Sequence, residues 1–170
     1  MTYLLIALVL AIIVSPLLWF RQTPRQKLIT AMRQQASRGG LQVRLVRPPD
    51  AREGEGRLEF VCYTMPWQAK TEPSVLPRAE QWLLVKDTRR GDPSPWQGWQ
   101  WLGRDPSEQL HAAIGQAVVE LPSSASGLEA SASGLSVYWQ ERGELTDVER
   151  IVSQLTRLRG AIRPSTNVVV

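Results

Sequence analysis

Cysteine and histidine each occur once, at Cys62 and His111. A lone cysteine excludes an internal disulfide, and one cysteine with one histidine cannot assemble a Cys/His zinc set. There is also no Walker loop, no G-x-G-x-x-G and no G-x-S-x-G, so the common phosphate-binding and nucleophile-elbow signatures are missing. The carboxylates are scattered through loops and helix starts, where capping and solvation account for them. These absences predict a non-enzymatic protein with no cofactor and no metal. Cys62 falls on the apolar phase of a strand pattern and fits a small buried hydrophobe. His111 sits next to Leu110 at the edge of a helix's apolar face, which fits a satisfied or solvated side chain.

Acidic residues are missing altogether before Asp50, while seven basic residues occur in that stretch, so residues 1–49 carry +7 and the remainder carries −3. A nucleic-acid binder holds its basic excess on the folded domain, because phosphate neutralisation supplies most of the affinity. Here the excess lies beside an apolar segment instead. Nucleic acid is therefore not an expected partner.

That apolar segment, residues 3–20, reads YLLIALVLAIIVSPLLWF and is interrupted only by Ser15 and Pro16. At about 1.5 Å per residue it would span roughly 27 Å as a helix, the thickness of a bilayer's hydrocarbon core. Its twelve Leu, Ile, Val and Phe residues favour insertion by roughly 4 to 7 kcal/mol before end effects. The segment lacks a basic n-region and a small-x-small cleavage site, which argues for an uncleaved anchor over a signal peptide. Arg21, Arg25, Lys27, Arg33 and Arg38 follow it, and basic flanks stay cytoplasmic. The expectation is a single-pass protein of the bacterial inner membrane, N-terminus out and domain in the cytoplasm. Trp19, Arg21, Arg25, Lys27 and Arg33 would touch the membrane surface, where anionic lipid headgroups are possible partners.

The remaining chain predicts one domain. Thr23-Pro24-Arg25-Gln26 is a capping box opening a basic juxtamembrane helix that stops at Gly39-Gly40. Alternating patterns predict strands over 41–47, 57–64, 81–86 and 98–103. Asp105-Pro106-Ser107-Glu108 caps an amphipathic helix carrying Leu110, Ala113, Ile114, Ala117, Val118 and Leu121. The repeated Ser-Ala-Ser-Gly-Leu between Ser124 and Ser136 reads as a hairpin running into LSVYWQ. Thr146-Asp147-Val148-Glu149 caps a last helix that stops at Gly160. The fold class is α+β: one N-terminal transmembrane helix, then a mainly antiparallel sheet of five to six strands covered by two amphipathic helices. The domain layout is 1–22 anchor, 23–40 juxtamembrane helix, 41–160 soluble domain and 161–170 tail.

Tryptophan is the residue present in excess, seven in all. Trp96, Trp99 and Trp101 cluster in PWQGWQWLG, with Trp67, Trp82 and Trp139 elsewhere. Trp99 and Trp101 share a strand face, so part of the set is core. An exposed subset of Trp67, Trp82, Trp96, Trp99 and Trp101 would make an aromatic interaction surface.

An uncharged entry to the apolar span, the exit WFRQTPRQK, a short helix and then GGLQVRLV together resemble the YajC-type accessory subunit of the bacterial preprotein translocase. The resemblance covers residues 1–47 and carries over no functional residues. It implies an inner-membrane protein with a cytoplasmic domain. The functional expectation is a membrane-anchored interaction module, an accessory or scaffold subunit docking an unidentified membrane protein. The alternative is a tethered peptide or small-ligand binder using a tryptophan-rich sheet surface.

Overall fold

Thr23 and Gln26 open the first helix by exchanging caps. The Thr23 hydroxyl accepts from the Gln26 N–H and the Gln26 side chain accepts from the Thr23 N–H, while Pro24 supplies a preset φ at the first position. This helix, α1 (Pro24–Arg38), ends where Gly40 takes φ +81° and the Leu41 N–H bonds the Ala36 carbonyl. Such a left-handed residue costs glycine little and turns the chain sharply. The computed structural model describes Tyr3 and residues 23–52, 56–67 and 80–166.

After α1 come β1 (Gln42–Val46), β2 (Phe60–Pro66), β3 (Trp82–Lys86), β4 (Asp92–Pro93) and β5 (Trp99–Trp101). Helix α2 (Glu108–Glu120), the hairpin β6 (Ala125–Ala130) and β7 (Gly134–Trp139), and helix α3 (Leu145–Thr166) complete the described chain. The strands form one seven-stranded sheet in the order β1-β2-β7-β6-β3-β5-β4. Every pairing in it is antiparallel.

Period-2 alternation sends Val61, Tyr63, Met65, Trp82, Leu84, Leu128, Leu135, Val137 and Trp139 to one face, where they meet Met32, Ala36, Ile114, Ile151, Leu155 and Leu158 from the helices. All three helices thus lie on that face, with α3 packed against both α1 and α2. On the other face, the Thr64 and Ser136 hydroxyls lie 2.9 Å apart and the Tyr138 hydroxyl donates to Glu129 at 2.7 Å. Pro49 rests over Gly127 there. Asp50 accepts from the Thr88 hydroxyl at 3.1 Å and holds Arg90 through its carbonyl.

Glu141 ties α1 to the sheet. It follows β7 with φ +53° and is only 3% exposed. Arg33 donates from Nε and Nη2 to its two carboxylate oxygens at 2.8 and 2.7 Å, and the Tyr63 hydroxyl donates to Oε1 at 2.7 Å. Arg25 donates to the Glu141 and Gly143 carbonyls. A left-handed conformation costs a non-glycine residue roughly 1–2 kcal/mol. Three charge-assisted bonds of about 1.5–3 kcal/mol each offset it.

Several expectations are corrected. Among the described residues no helix is long and apolar enough to cross a membrane, and the expected span over residues 3–20 lies outside them except for Tyr3. The anchored fold class with five to six strands and two covering helices gives way, among the described residues of 23–166, to seven strands and three helices. The single-pass inner-membrane location, with N-terminus out and a cytoplasmic domain, has no described helix to rest on. Of the residues assigned to a membrane surface, Trp19 and Arg21 lie outside the described residues and Lys27 is exposed. Arg25 and Arg33 are engaged with Glu141 instead. Met32 and Ala36 are fully buried, so α1 is an integral layer of the domain. α3 also runs through Gly160 to Thr166, because Ile162 is buried and continued packing outweighs the glycine's cost of about 1 kcal/mol.

Burial, followed by the Glu141 carboxylate, holds the Tyr63 hydroxyl above its ordinary pKa of 10.0, and burial does the same for Tyr138 beside Glu129. Above pH 10 the unfolded chain loses these protons first, so stability is complete below that value and falls as pH rises past it. Denaturant titrations from pH 9 to 11 should show that decline, and Tyr63→Phe should flatten it. Arg33→Met, which leaves Glu141 buried without its ion pair, should cost about 2 kcal/mol in the same titration.

Candidate functional site

The segment between β3 and α2 carries three of the seven tryptophans, Trp96, Trp99 and Trp101. Lys86, Val85 and Leu84 pair with Trp99, Gln100 and Trp101, and β4 adds Asp92 opposite Trp101. Gly91 has no alternative in the turn before β4, since a Cβ there would lie 2.1 Å from the Trp101 carbonyl oxygen. The Ser94 hydroxyl donates to the Trp99 carbonyl at 2.7 Å and accepts from the Trp96 N–H at 3.3 Å, fixing the loop that carries Trp96.

Trp101 is the centre of this cluster. Trp82 meets it edge to face at 5.7 Å and Trp96 does so at 5.7 Å from another side, while the His111 ring stacks on it at 6.3 Å and 23°. Trp96 also touches His111 edge-on at 6.0 Å. Such pairs add about 0.5–1.5 kcal/mol each beyond area burial. The Trp96 indole lies directly over Gly115, whose added Cβ would fall 2.6 Å from Nε1. No expectation from the sequence attached to Gly115, although a glycine in the middle of an amphipathic helix costs about 1 kcal/mol and can mark a close neighbour.

Of the proposed aromatic surface, Trp67, Trp82, Trp99 and Trp101 are buried in the core, and Trp67 donates from Nε1 to the Ser131 carbonyl. Trp96 is half-buried. The structure brings Trp82, Trp96 and Trp101 together and leaves Trp67 with the β6–β7 turn. The indoles face the helices because period 2 places them on the covered side of the sheet. They present no broad exposed patch.

What the cluster does form is the wall of a pocket of about 380 Å³ lined by Asp92, Pro93, Pro95, Trp101, Gly103, Asp105 and His111. This lies within the usual size range of small binding clefts, about 300–1,000 Å³. Asp105 is available to it because α2 starts at Glu108 with Ser107 as its cap, so the expected Asp105 cap does not form. Asp92 and Asp105 are both exposed, and neither carboxylate bonds another described residue. The lining contains no lysine or arginine. The His111 Nε2 and the Trp82 Nε1 are buried without a hydrogen-bond partner among the described residues.

A larger cavity of about 620 Å³ lies between α1 and the start of α3, lined by Arg25, Leu28, Arg142, Gly143, Glu144, Thr146, Asp147 and Arg150. Its charges largely answer one another. Arg150 pairs with Asp147 at 3.4 Å, Arg25 is held by carbonyls, and Asp147 accepts from the Glu144 N–H. Cys62 lies on the sheet face away from the helices, with Sγ 3.4 Å from the Thr64 hydroxyl, and burial pushes its thiol up. A thiol held protonated is a poor nucleophile. Among the described residues no group of His, Cys, Asp and Glu is arranged to hold a metal ion.

The chain matches no protein-family model, no curated protein and no solved structure.

Gly115→Ala tests the Trp96 contact. Alanine favours an isolated helix by about 1 kcal/mol, but here it must displace the indole. The variant should lose stability by about 1–2 kcal/mol and shift its tryptophan emission to longer wavelength as Trp96 moves toward water.

Proposed function

We propose that this protein is a non-enzymatic interaction module that receives a cationic side chain of a protein partner in the pocket between β4, β5 and α2. The observation that carries this reading is the pair of carboxylates, Asp92 and Asp105, that line an aromatic pocket whose described lining holds His111 but no lysine or arginine. A lysine or arginine entering there would meet two negative charges at its rim and the Trp101 and His111 rings at its wall. Each exposed carboxylate is worth about 1 kcal/mol at 4 Å in a water-like medium, and an indole face adds about 0.5–2 kcal/mol. Together these give a Kd of about 1–10 mM for an isolated side chain, so useful affinity requires a flanking peptide. Pro93 and Pro95 on the wall supply rigid apolar surface at little entropic cost.

The Cys62 thiol is held protonated by burial on the face of the sheet opposite the helices, which makes it a poor nucleophile and is in keeping with the non-enzymatic side of the reading. Titration of intrinsic fluorescence with acetyl-Gly-Lys-Gly-amide, its arginine analogue and its glutamate analogue tests it. The two cationic peptides should give saturable changes in the millimolar range and the acidic one none. Asp92→Asn with Asp105→Asn should weaken the response at least fivefold while leaving the melting curve in place. Equal responses to all three peptides, or a double variant that binds as the parent does, would remove the proposal.

A further inference from the structure

The two edges of the sheet are finished differently. At one end stands β4, two residues long and carrying Pro93, which has no N–H to offer. At the other stands β1, five residues in unbroken register with β2 and with no strand on its outer side among the described residues. It contains no proline, glycine or bulge. Close to its end, two large apolar side chains are left uncovered, Leu45 at 54% exposure and Leu58 at 57%. Native proteins blunt such edges, because an unpaired row of N–H and C=O groups is a template for another strand.

The chain that forms this edge is rich in basic residues, and Glu59, beside the start of β2, is an exposed acid near it. Residues 23–49 hold Arg25, Lys27, Arg33, Arg38, Arg44 and Arg47 and no acid. Arg25 and Arg33 are occupied by Glu141, which leaves Lys27, Arg38, Arg44 and Arg47 exposed around β1 and α1. Alternation along β1 puts Leu45 on the helix-bearing side of the sheet and Arg44 on the other.

We propose that the outer edge of β1 accepts an extended acidic segment of a partner protein as an eighth strand, one whose residues alternate apolar and acidic. The apolar set lies beside Leu45 and the acidic set beside Arg44, while main-chain hydrogen bonds to β1 supply the pairing. A second copy of this chain is a poor occupant. Pairing β1 with β1 would bring two arginine-lined edges and two basic helices together, and like charges across a sheet edge oppose pairing. The inference is independent of the indole pocket, which lies at the opposite edge of the sheet.

The test uses the full-length chain and two synthetic probes, acetyl-Glu-Val-Glu-Val-Glu-Val-Glu-amide and its counterpart with lysine in place of every glutamate. Amide hydrogen exchange of residues 42–46 should slow at least tenfold with the acidic probe, which should bind at least tenfold more tightly than the basic one and weaken as salt rises. Arg44→Glu with Arg47→Glu should abolish that preference. A version of the acidic probe N-methylated at alternate residues, which needs no change to the protein, should lose binding at least tenfold. Equal binding of the two probes, no binding of the acidic probe at millimolar concentration, or binding without protection of residues 42–46 would each overturn the proposal. So would concentration-dependent self-association that protects β1 without any probe.

Discussion

A buried carboxylate needs every one of its acceptor positions answered, and this fold is organised around answering one. Glu141 lies in the chain reversal after the last strand, in a backbone conformation its side chain disfavours, and is reached by residues from two distant parts of the sequence. Tyr63 comes from the middle of the sheet and Arg33 from the opening helix. Removing the ion pair would leave a charge in a low-dielectric interior, which costs more than an ordinary surface salt bridge returns. Because Arg25 holds the same turn by its carbonyls, α1 cannot leave the sheet without exposing both. The basic residues that follow the N-terminal apolar stretch are thus of two kinds. Among the described residues, Arg25 and Arg33 dock the helix, and Lys27, Arg38, Arg44 and Arg47 stay exposed.

Placing all three helices on one side of the sheet decides where the tryptophans go. Indoles at alternate positions of β3 and β5 must point the same way, and that way is under α2. Their bulk fills the space between helix and sheet. It opens a pocket only where the short β4 and the turn before α2 leave the layer unfinished. The polar groups on the other sheet face bond among themselves, so the sheet's outward-looking chemistry is concentrated at its two edges.

The strands were legible where alternation was regular, as at Gln42–Val46, Trp82–Lys86 and Gly134–Trp139, because a half-buried strand writes its period directly into the residues. β4 was not, since Asp92–Pro93 is too short to carry a period. The opening of α2 was misplaced: an acid-proline pair resembles a cap, yet Ser107 takes that position and frees Asp105 for the pocket. Arginines after an apolar stretch looked like a membrane flank, because sequence shows their charge and hides their partners. Glu141 gave no signal at all. Its meaning comes from contacts 78 and 108 residues away along the chain, and a lone glutamate after a strand looks like any solvated loop residue. For the candidate site, the shared face of Trp99 and Trp101 was visible, whereas the meeting of Asp92, Asp105 and His111 depends on topology.

Pro93 closes one end of the sheet, while no described strand pairs with the outer edge of β1. Filaments grow when each unit offers both a donor and an acceptor border, so that every addition regenerates the surface it consumed. A sheet with a single receptive border cannot propagate in this way. Whatever joins it there caps it, which makes the stoichiometry of such a complex one to one and keeps the molecule out of open-ended polymers.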